Sequence, residues 1–334
     1  MRIVLSYLKS LRVDQHLSLL ILSGLMLWLP LNRPTNAIIA AENLIRVYQI
    51  NTAPVPIKKS ESYLSNLAPI IASGSATRES SWSPDQLTAS AAAVIDLSSG
   101  AILFEKNSKE LVFPASTTKL MTALIVKDNY NLDQVISLVE VPRIDGASIG
   151  LQPNEQLTIK DLLKATLIQS GNETALILAQ NYPGGTASFV NAMNRKAVEL
   201  HLFDTHFSNV MGFDQAGHYS SARDLALLSR YFMQDELLRE IVSTKTTSIG
   251  DVRGWYKHQI WNTHQLLNPS EGIIGVKTGT TEGAGEVLIT QVDRNGRQLL
   301  FVVLGSKDRY QETKNLISWS ENSFVWVENL DQIE

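Results

Sequence analysis

The order in which apolar patterns follow one another constrains this 334-residue chain more than any single residue does. From residue 91, the runs "AAAVIDL" and "AILFEK" flank "SSG" and read as a β-hairpin. Helical spacing then takes over in "IKDLLKATLIQ" (159–169), "NETALILAQNY" (172–182), "TASFVNAMNRKAVEL" (186–200) and "SARDLALLSRYFM" (221–233). Strand-like runs return in "WYKHQIW", "GIIGVKT", "EVLITQV" and "LLFVVLG", and "DRYQETKNLISWSENSFVWV" (308–327) closes as an amphipathic helix. Strands at both ends of a helical block do not fit an alternating βαβ chain. The expected architecture is α+β: the early hairpin and the late strands share one antiparallel sheet flanked by helices, and the middle helices form an all-helical lobe. A cleft between sheet and lobe is the natural place for a site.

The part before residue 89 is different. Arg2, Lys9 and Arg12 precede the apolar run 17–31, "LSLLILSGLMLWLPL". A basic start and an apolar stretch shorter than the roughly 20 residues of a membrane span fit a secretory signal. "PTNA" at 34–37 offers a small-residue cleavage point. Residues 1–37 are therefore expected to be a signal peptide or a retained N-terminal anchor, with the basic end inside and the rest exported. Residues 38–88, rich in Ser, Ala and Pro, read as a flexible linker to a globular domain at 89–330. Forty-four per cent hydrophobic residues are enough for a sizeable core, and a net charge of −4 with no long basic run gives nucleic-acid binding no electrostatic support. The absence of Cys removes disulfides, thiol catalysis and Cys-based metal sites.

Within the globular part, "FPASTTKLMTAL" (113–124) places three hydroxyls and one lysine at the head of an apolar helix. Ser116, Thr117 and Thr118 can all cap that helix, and Ser116 and Lys119, three apart, share a face. A serine beside an amine at a helix start is either a capped turn or an activated nucleophile. Ser-x-x-Lys alone is weak, since "SYLK" at 6–9 matches it too. The ordered set is more specific: Ser116…Lys119 opening a helix, "SGN" (Ser170, Gly171, Asn172) in the break between two helices, and "KTG" (Lys277, Thr278, Gly279) ending a strand. The six His contain no His-Glu-x-x-His pattern, and His201, His206, His258 and His264 read as ordinary surface or core residues, so no metal or cofactor is expected.

With these motifs the chain resembles, over about residues 90–328, the low-molecular-weight penicillin-binding proteins that act as serine D-alanyl-D-alanine carboxypeptidases. The likeness is carried by "FPASTTKLMTAL", "SGNETALILAQ", "FVNAMNRKAVEL", "HYSSARDLALLSRY", "GVKTGTTEGAG" and "NLISW". The resemblance implies a β-lactamase/transpeptidase-like fold and an extracytoplasmic enzyme of the cell envelope. It implies a peptidoglycan pentapeptide as substrate and β-lactam antibiotics as covalent inhibitors. It implies Ser116 as nucleophile, Lys119 as the group that takes its proton, and Ser170 as a proton relay to the leaving amine. Asn172 would hold the substrate amide, Lys277 would supply positive potential, Gly279 would let the strand approach closely, and the N–H groups of Ser116 and Thr280 would form the oxyanion hole. Arg309 matches the family's carboxylate-binding position, with Thr278 as its partner.

The chain departs from the family in Glu173, where Asp is usual, and in the loop "SNVMGFD". It also stops at Glu334, without the second domain and C-terminal anchor of many relatives, so attachment to the membrane would fall to the N-terminal segment. A D,D-endopeptidase would use the same serine and is not separable from a carboxypeptidase here. A class A-like β-lactamase would need a carboxylate to activate the deacylating water, and Glu236 and Glu240 fall in an expected helix instead. An inactive, tethered wall-binding protein is the reading without catalysis, and three intact motifs argue against it.

Overall fold

The computed structural model describes residues 70–72, 82–294 and 296–326. The apolar segment at 17–31, the cleavage point and most of the expected linker lie outside the described residues. In chain order the elements are β1 (Ile70–Ala72), β2 (Ala91–Asp96), β3 (Ile102–Lys106), α1 (Thr118–Asn129), β4 (Val135–Ser137), β5 (Gln156–Thr158), α2 (Ile159–Ile168), α3 (Asn172–Gln180) and α4 (Gly185–Glu199). Then follow α5 (Ala222–Phe232), α6 (Glu236–Val242), β6 (Thr246–Gly250), β7 (Lys257–Trp261), β8 (Ile273–Thr281), β9 (Gly285–Arg294), β10 (Arg297–Ser306), α7 (Arg309–Ser323) and β11 (Phe324–Trp326).

The early hairpin and the last long strands do form one antiparallel sheet, in the order β3-β2-β10-β9-β8. Alternation of side chains along a strand divides its core in two. On β2, Ala91, Ala93 and Ile95 join the core shared with the helical elements, while Ala92 and Val94 join a second core with Leu316 and Ile317 of α7. β10 alternates in the same way, with Leu300, Val302 and Leu304 on one side and Leu299, Phe301 and Val303 on the other. Each such buried Leu, Val or Phe contributes about 1.5–3 kcal/mol of transfer free energy. Helix starts are fixed by side-chain caps: Thr158 accepts from Asp161 N, Ser221 from Asp224 N, Asp235 from Leu238 N and Asp308 from Gln311 N.

Three expectations need correction. The strand "KHQIW" does not join the main sheet; β7 pairs with β6 in a separate hairpin, because both strands bury one face and leave Thr246, Ser248, Gln259 and Trp261 exposed on the other. The last helix ends at Ser323, and Phe324–Trp326 turns into β11, paired with β1. Folded structure also begins before residue 89: Leu87 is buried in the α7-side core, Trp82 packs against it, and Leu87 O accepts from Lys106 Nζ at 2.7 Å. No helix among the described residues is long and apolar enough to cross a membrane.

Candidate active site

The hydroxyl cluster at 116–118 does not cap the helix. Ala115–Thr117 form a single 3-10 turn ahead of α1, Thr117 Oγ1 donates to Pro114 O, and Thr118 Oγ1 pairs with His218 Nε2 at 2.9 Å. Because Ser208 N–H donates to His218 Nδ1, the His218 ring proton lies on Nε2 and is donated to Thr118. Burial pushes the His218 pKa down to about 4, so the ring is neutral at pH 7. The Ser116 hydroxyl is thus left over, half-exposed at the helix start, where N–H groups have no intrahelical partner.

Lys119, one turn on, is 0% exposed. Its Nζ lies 2.9 Å from Ser116 Oγ, 2.8 Å from Asn172 Oδ1 and 2.8 Å from Met211 O. Burial lowers its pKa well below the usual lysine range, the nearby Lys277 lowers it further, and Glu173 acts in the opposite direction. A neutral amine has two N–H donors and one lone pair. Asn172 Oδ1 and Met211 O can only accept, so they take both hydrogens and leave the lone pair facing the Ser116 hydroxyl. The Asn172 orientation is set independently, since its Nδ2 donates to Asp145 O at 2.8 Å. One end of the Asn172 amide therefore holds Lys119 and the other anchors it to Asp145 O.

Ser170 sits between α2 and α3. The left-handed backbone of that break falls on Ser170 itself (φ +62), not on Gly171 (φ −53). This conformation brings Ser170 Oγ 2.9 Å from Nζ of Lys277, which is 1% exposed. Burial, then the charge of Arg309, lowers the Lys277 pKa to about 7. On the next residue but one, a side chain at Gly279 would begin 2.8 Å from Ala115 Cβ and 2.9 Å from Ser116 N. Only a glycine lets strand β8 run this close to the serine's amide.

Thr278 is not the partner of Arg309. Its Oγ1 pairs with Thr263 Oγ1 at 2.6 Å, whereas Arg309 Nη1 donates to Thr280 Oγ1 at 2.7 Å and to Gly279 O at 2.8 Å. Sheet register explains the difference. Glu286 pairs with both Thr280 and Ser306, and its Oε2 accepts from Arg309 N, so the start of α7 lies level with Thr280.

Two loops close the site; the sequence marked "SNVMGFD" only as a departure from the family, and residues 141–150 carried no motif at all. In residues 141–150, Ala147 O accepts from Asn172 N, and Glu173 Oε1 accepts from Ser148 Oγ and Ile149 N. In "SNVMGFD", Asn209 Oδ1 accepts from the N–H groups of Met211, Gly212 and Phe213, which aims Met211 O at Lys119. The groups that reach the motif residues, Ala147 O and Met211 O, are main-chain carbonyls, which carry no residue signature; only the Asn and Gly of the second loop hint at a tight turn.

The sequence profile of the D-alanyl-D-alanine carboxypeptidase family, Peptidase S11, matches residues 78–308. D-alanyl-D-alanine carboxypeptidase DacF of Bacillus subtilis is 31% identical over 248 residues, covering 71% of this chain and 63% of that protein. DacC of Escherichia coli is 32% identical, covering 70% and 61%. This chain thus spans less than two thirds of the length of either relative. A D-alanyl-D-alanine endopeptidase of Pseudomonas aeruginosa is 33% identical, covering 72% and 79%. Among solved structures, a Streptomyces DD-transpeptidase superposes with a TM-score of 0.65 at 27% identity, covering 71% of this chain and 98% of that one. An ampicillin-bound penicillin-binding protein of Listeria monocytogenes gives 0.62 at 29% identity, covering 71% and 98%.

Proposed function

The chain belongs to the D-alanyl-D-alanine carboxypeptidase family, Peptidase S11, and from that premise we propose that it is a serine carboxypeptidase that removes the terminal D-alanine of peptidoglycan stem peptides and is captured covalently by β-lactams. One observation carries the reading: Lys119 Nζ meets two pure acceptors and turns its remaining valence to Ser116 Oγ. Ser116 Oγ attacks the carbonyl of the penultimate D-alanine as its proton passes to Lys119. The N–H groups of Ser116 and Thr280 receive the oxyanion. As the C–N bond breaks, the leaving amine takes up the proton that Lys119 received, with the Ser170 hydroxyl, held by Lys277, as the relay, and Lys119 returns to the neutral amine. Water then hydrolyses the ester and restores Ser116. Asn172 acts by positioning Lys119, and Thr278 supports strand β8 from the side of Thr263.

Lys277, Thr280 and Arg309 provide the charge and donors for a substrate carboxylate. Charge-assisted hydrogen bonds of this kind are worth about 1.5–3 kcal/mol. Arg309→Ala should therefore lower kcat/KM for a peptide ending in free D-Ala-D-Ala by about 10–100-fold, while the slower cleavage of the C-terminal amide changes little. Equal losses on both peptides would remove Arg309 from carboxylate recognition.

The reaction belongs outside the cytoplasm, where the wall lies, with residues 1–37 serving as signal or anchor. The direct test is to incubate the full chain with a D-Ala-D-Ala peptide and separately with a β-lactam. Free D-alanine should be released, and the drug mass should map to the peptide containing Ser116. No release together with label elsewhere would sink the assignment. The likeness to the Pseudomonas endopeptidase supports a second reading, cleavage of D-alanyl cross-links. A cross-linked stem-peptide dimer in the same assay separates the two.

A further inference from the structure

We propose that the β6–β7 hairpin is a binding platform for the N-acetylated sugar chain from which the stem peptide hangs, a reading that rests on the function proposed above. Two highly exposed tryptophans, Trp255 (68%) and Trp261 (59%), lie on this one hairpin. Trp261 is at the cleft end. Its backbone N–H donates to Oε1 of Gln169, the neighbour of Ser170, and two residues on Thr263 contacts Thr278. Trp255 is at the opposite end, in the turn.

Exposed tryptophans are often incidental, but this turn is built to hold one still. The Arg253 guanidinium lies 3.9 Å from the Trp255 ring centroid and covers one ring face. Arg253 is in turn fixed by Asp251 at 2.8 Å and by Asn154 O. Hydrogen bonding from Arg253 holds the Asp251 carboxyl below the usual carboxylate range, so the clamp stays charged. Between the tryptophans, the outward face carries a polar ladder: Gln259 Nε2 donates to Thr246 Oγ1 at 2.6 Å, and Ser248 Oγ donates to Gln259 Oε1 at 2.7 Å.

This pairing of chemistries selects a sugar polymer. The C–H faces of pyranose rings stack on indole rings, and hydroxyl and acetamido groups pair with amide and hydroxyl side chains. About 13 Å of strand separates Trp261 from the turn, so a chain of several rings, not a single sugar, is needed to touch both. A platform that begins beside Ser170 would raise the local concentration of tethered stem peptides at the cleft.

The test titrates the full chain calorimetrically with a peptide-free oligomer of β-1,4-linked N-acetylglucosamine. Saturable binding is expected. Trp255→Ala and Trp261→Ala should each weaken it about tenfold, the double variant should abolish it, and Trp261→Tyr should keep most of it. In the double variant the ratio of kcat/KM for glycan-linked over free stem peptide should fall toward one. Absence of saturable binding by the parent, or equal binding by the double variant with its melting temperature intact, overturns the proposal. The readouts separate the two readings. Tryptophan-dependent sugar binding without D-alanine release supports the platform and removes the carboxypeptidase; release without sugar binding does the reverse.

Discussion

Lys119→Arg should acylate about 10²–10⁴-fold more slowly than the parent, no faster than Lys119→Ala. The exchange keeps a cation of similar reach, so any role that needs only positive charge would survive it. The geometry demands the opposite. Two of the three partners of Lys119 are obligate acceptors, and the third is the nucleophile whose proton must leave. A guanidinium has no lone pair to offer at any accessible pH. The pH profile gives a second reading of the same chemistry. With its pKa lowered by burial and by Lys277, Lys119 loses its proton as pH rises, so acylation climbs through that titration. It then declines as Lys277, lowered to about 7 in the free protein, gives up the charge that meets the substrate carboxylate. The two amines titrate as a coupled pair, so the limbs belong to the pair. In Lys119→Arg the rising limb should vanish. Stopped-flow acylation by a chromogenic β-lactam across pH 5–10 reads both effects. A variant within tenfold of the parent, or one that keeps the rising limb, would remove Lys119 as the base.

What the residues disclosed in advance was chemistry with a residue identity attached. Ser116, Lys119, Ser170, Asn172, Lys277 and Gly279 could be picked out from three short motifs, and the structure brings all of them together. The five-stranded sheet was readable because strand-like runs sat at both ends of a helical block. Register was not readable. Thr278 and Thr280 share a face of β8, so alternation alone could not say which meets Arg309; the pairing of Glu286 with both Thr280 and Ser306 decides it. Nor could spacing show that "KHQIW" would form its own hairpin, since an exposed face looks the same on either sheet. Main-chain acceptors were the least visible: Asp145 O and Met211 O set the orientation of Asn172 and Lys119, and any residue type could supply them.

Gly212, in the loop "SNVMGFD" and outside the three catalytic motifs, is expected to matter almost as much as the named residues. It has φ +97, and a side chain there would begin 1.8 Å from Ala115 O and 2.9 Å from Ser116 N. Those neighbours are main chain and cannot swing aside. Gly212→Ala must push the Met211–Gly212 backbone away from the serine turn, and this moves Ser116 and the carbonyl that holds Lys119 together. A displacement of about 1 Å in a reacting group costs on the order of 10²-fold, so acylation should fall at least that far. Stability should fall as well, by roughly 2–5 kcal/mol from overpacking and the left-handed backbone combined. Gly185→Ala, at the start of α4 and away from the site, separates the two contributions, because Gly185 has φ +72 and nothing within 4 Å of the added carbon. That variant should lose only about 1–2 kcal/mol from the backbone conformation and keep its acylation rate. Thermal unfolding and acylation measured on both variants check the claim. If Gly212→Ala acylates within twofold of the parent, the contact between this loop and the serine turn does not hold the nucleophile in place.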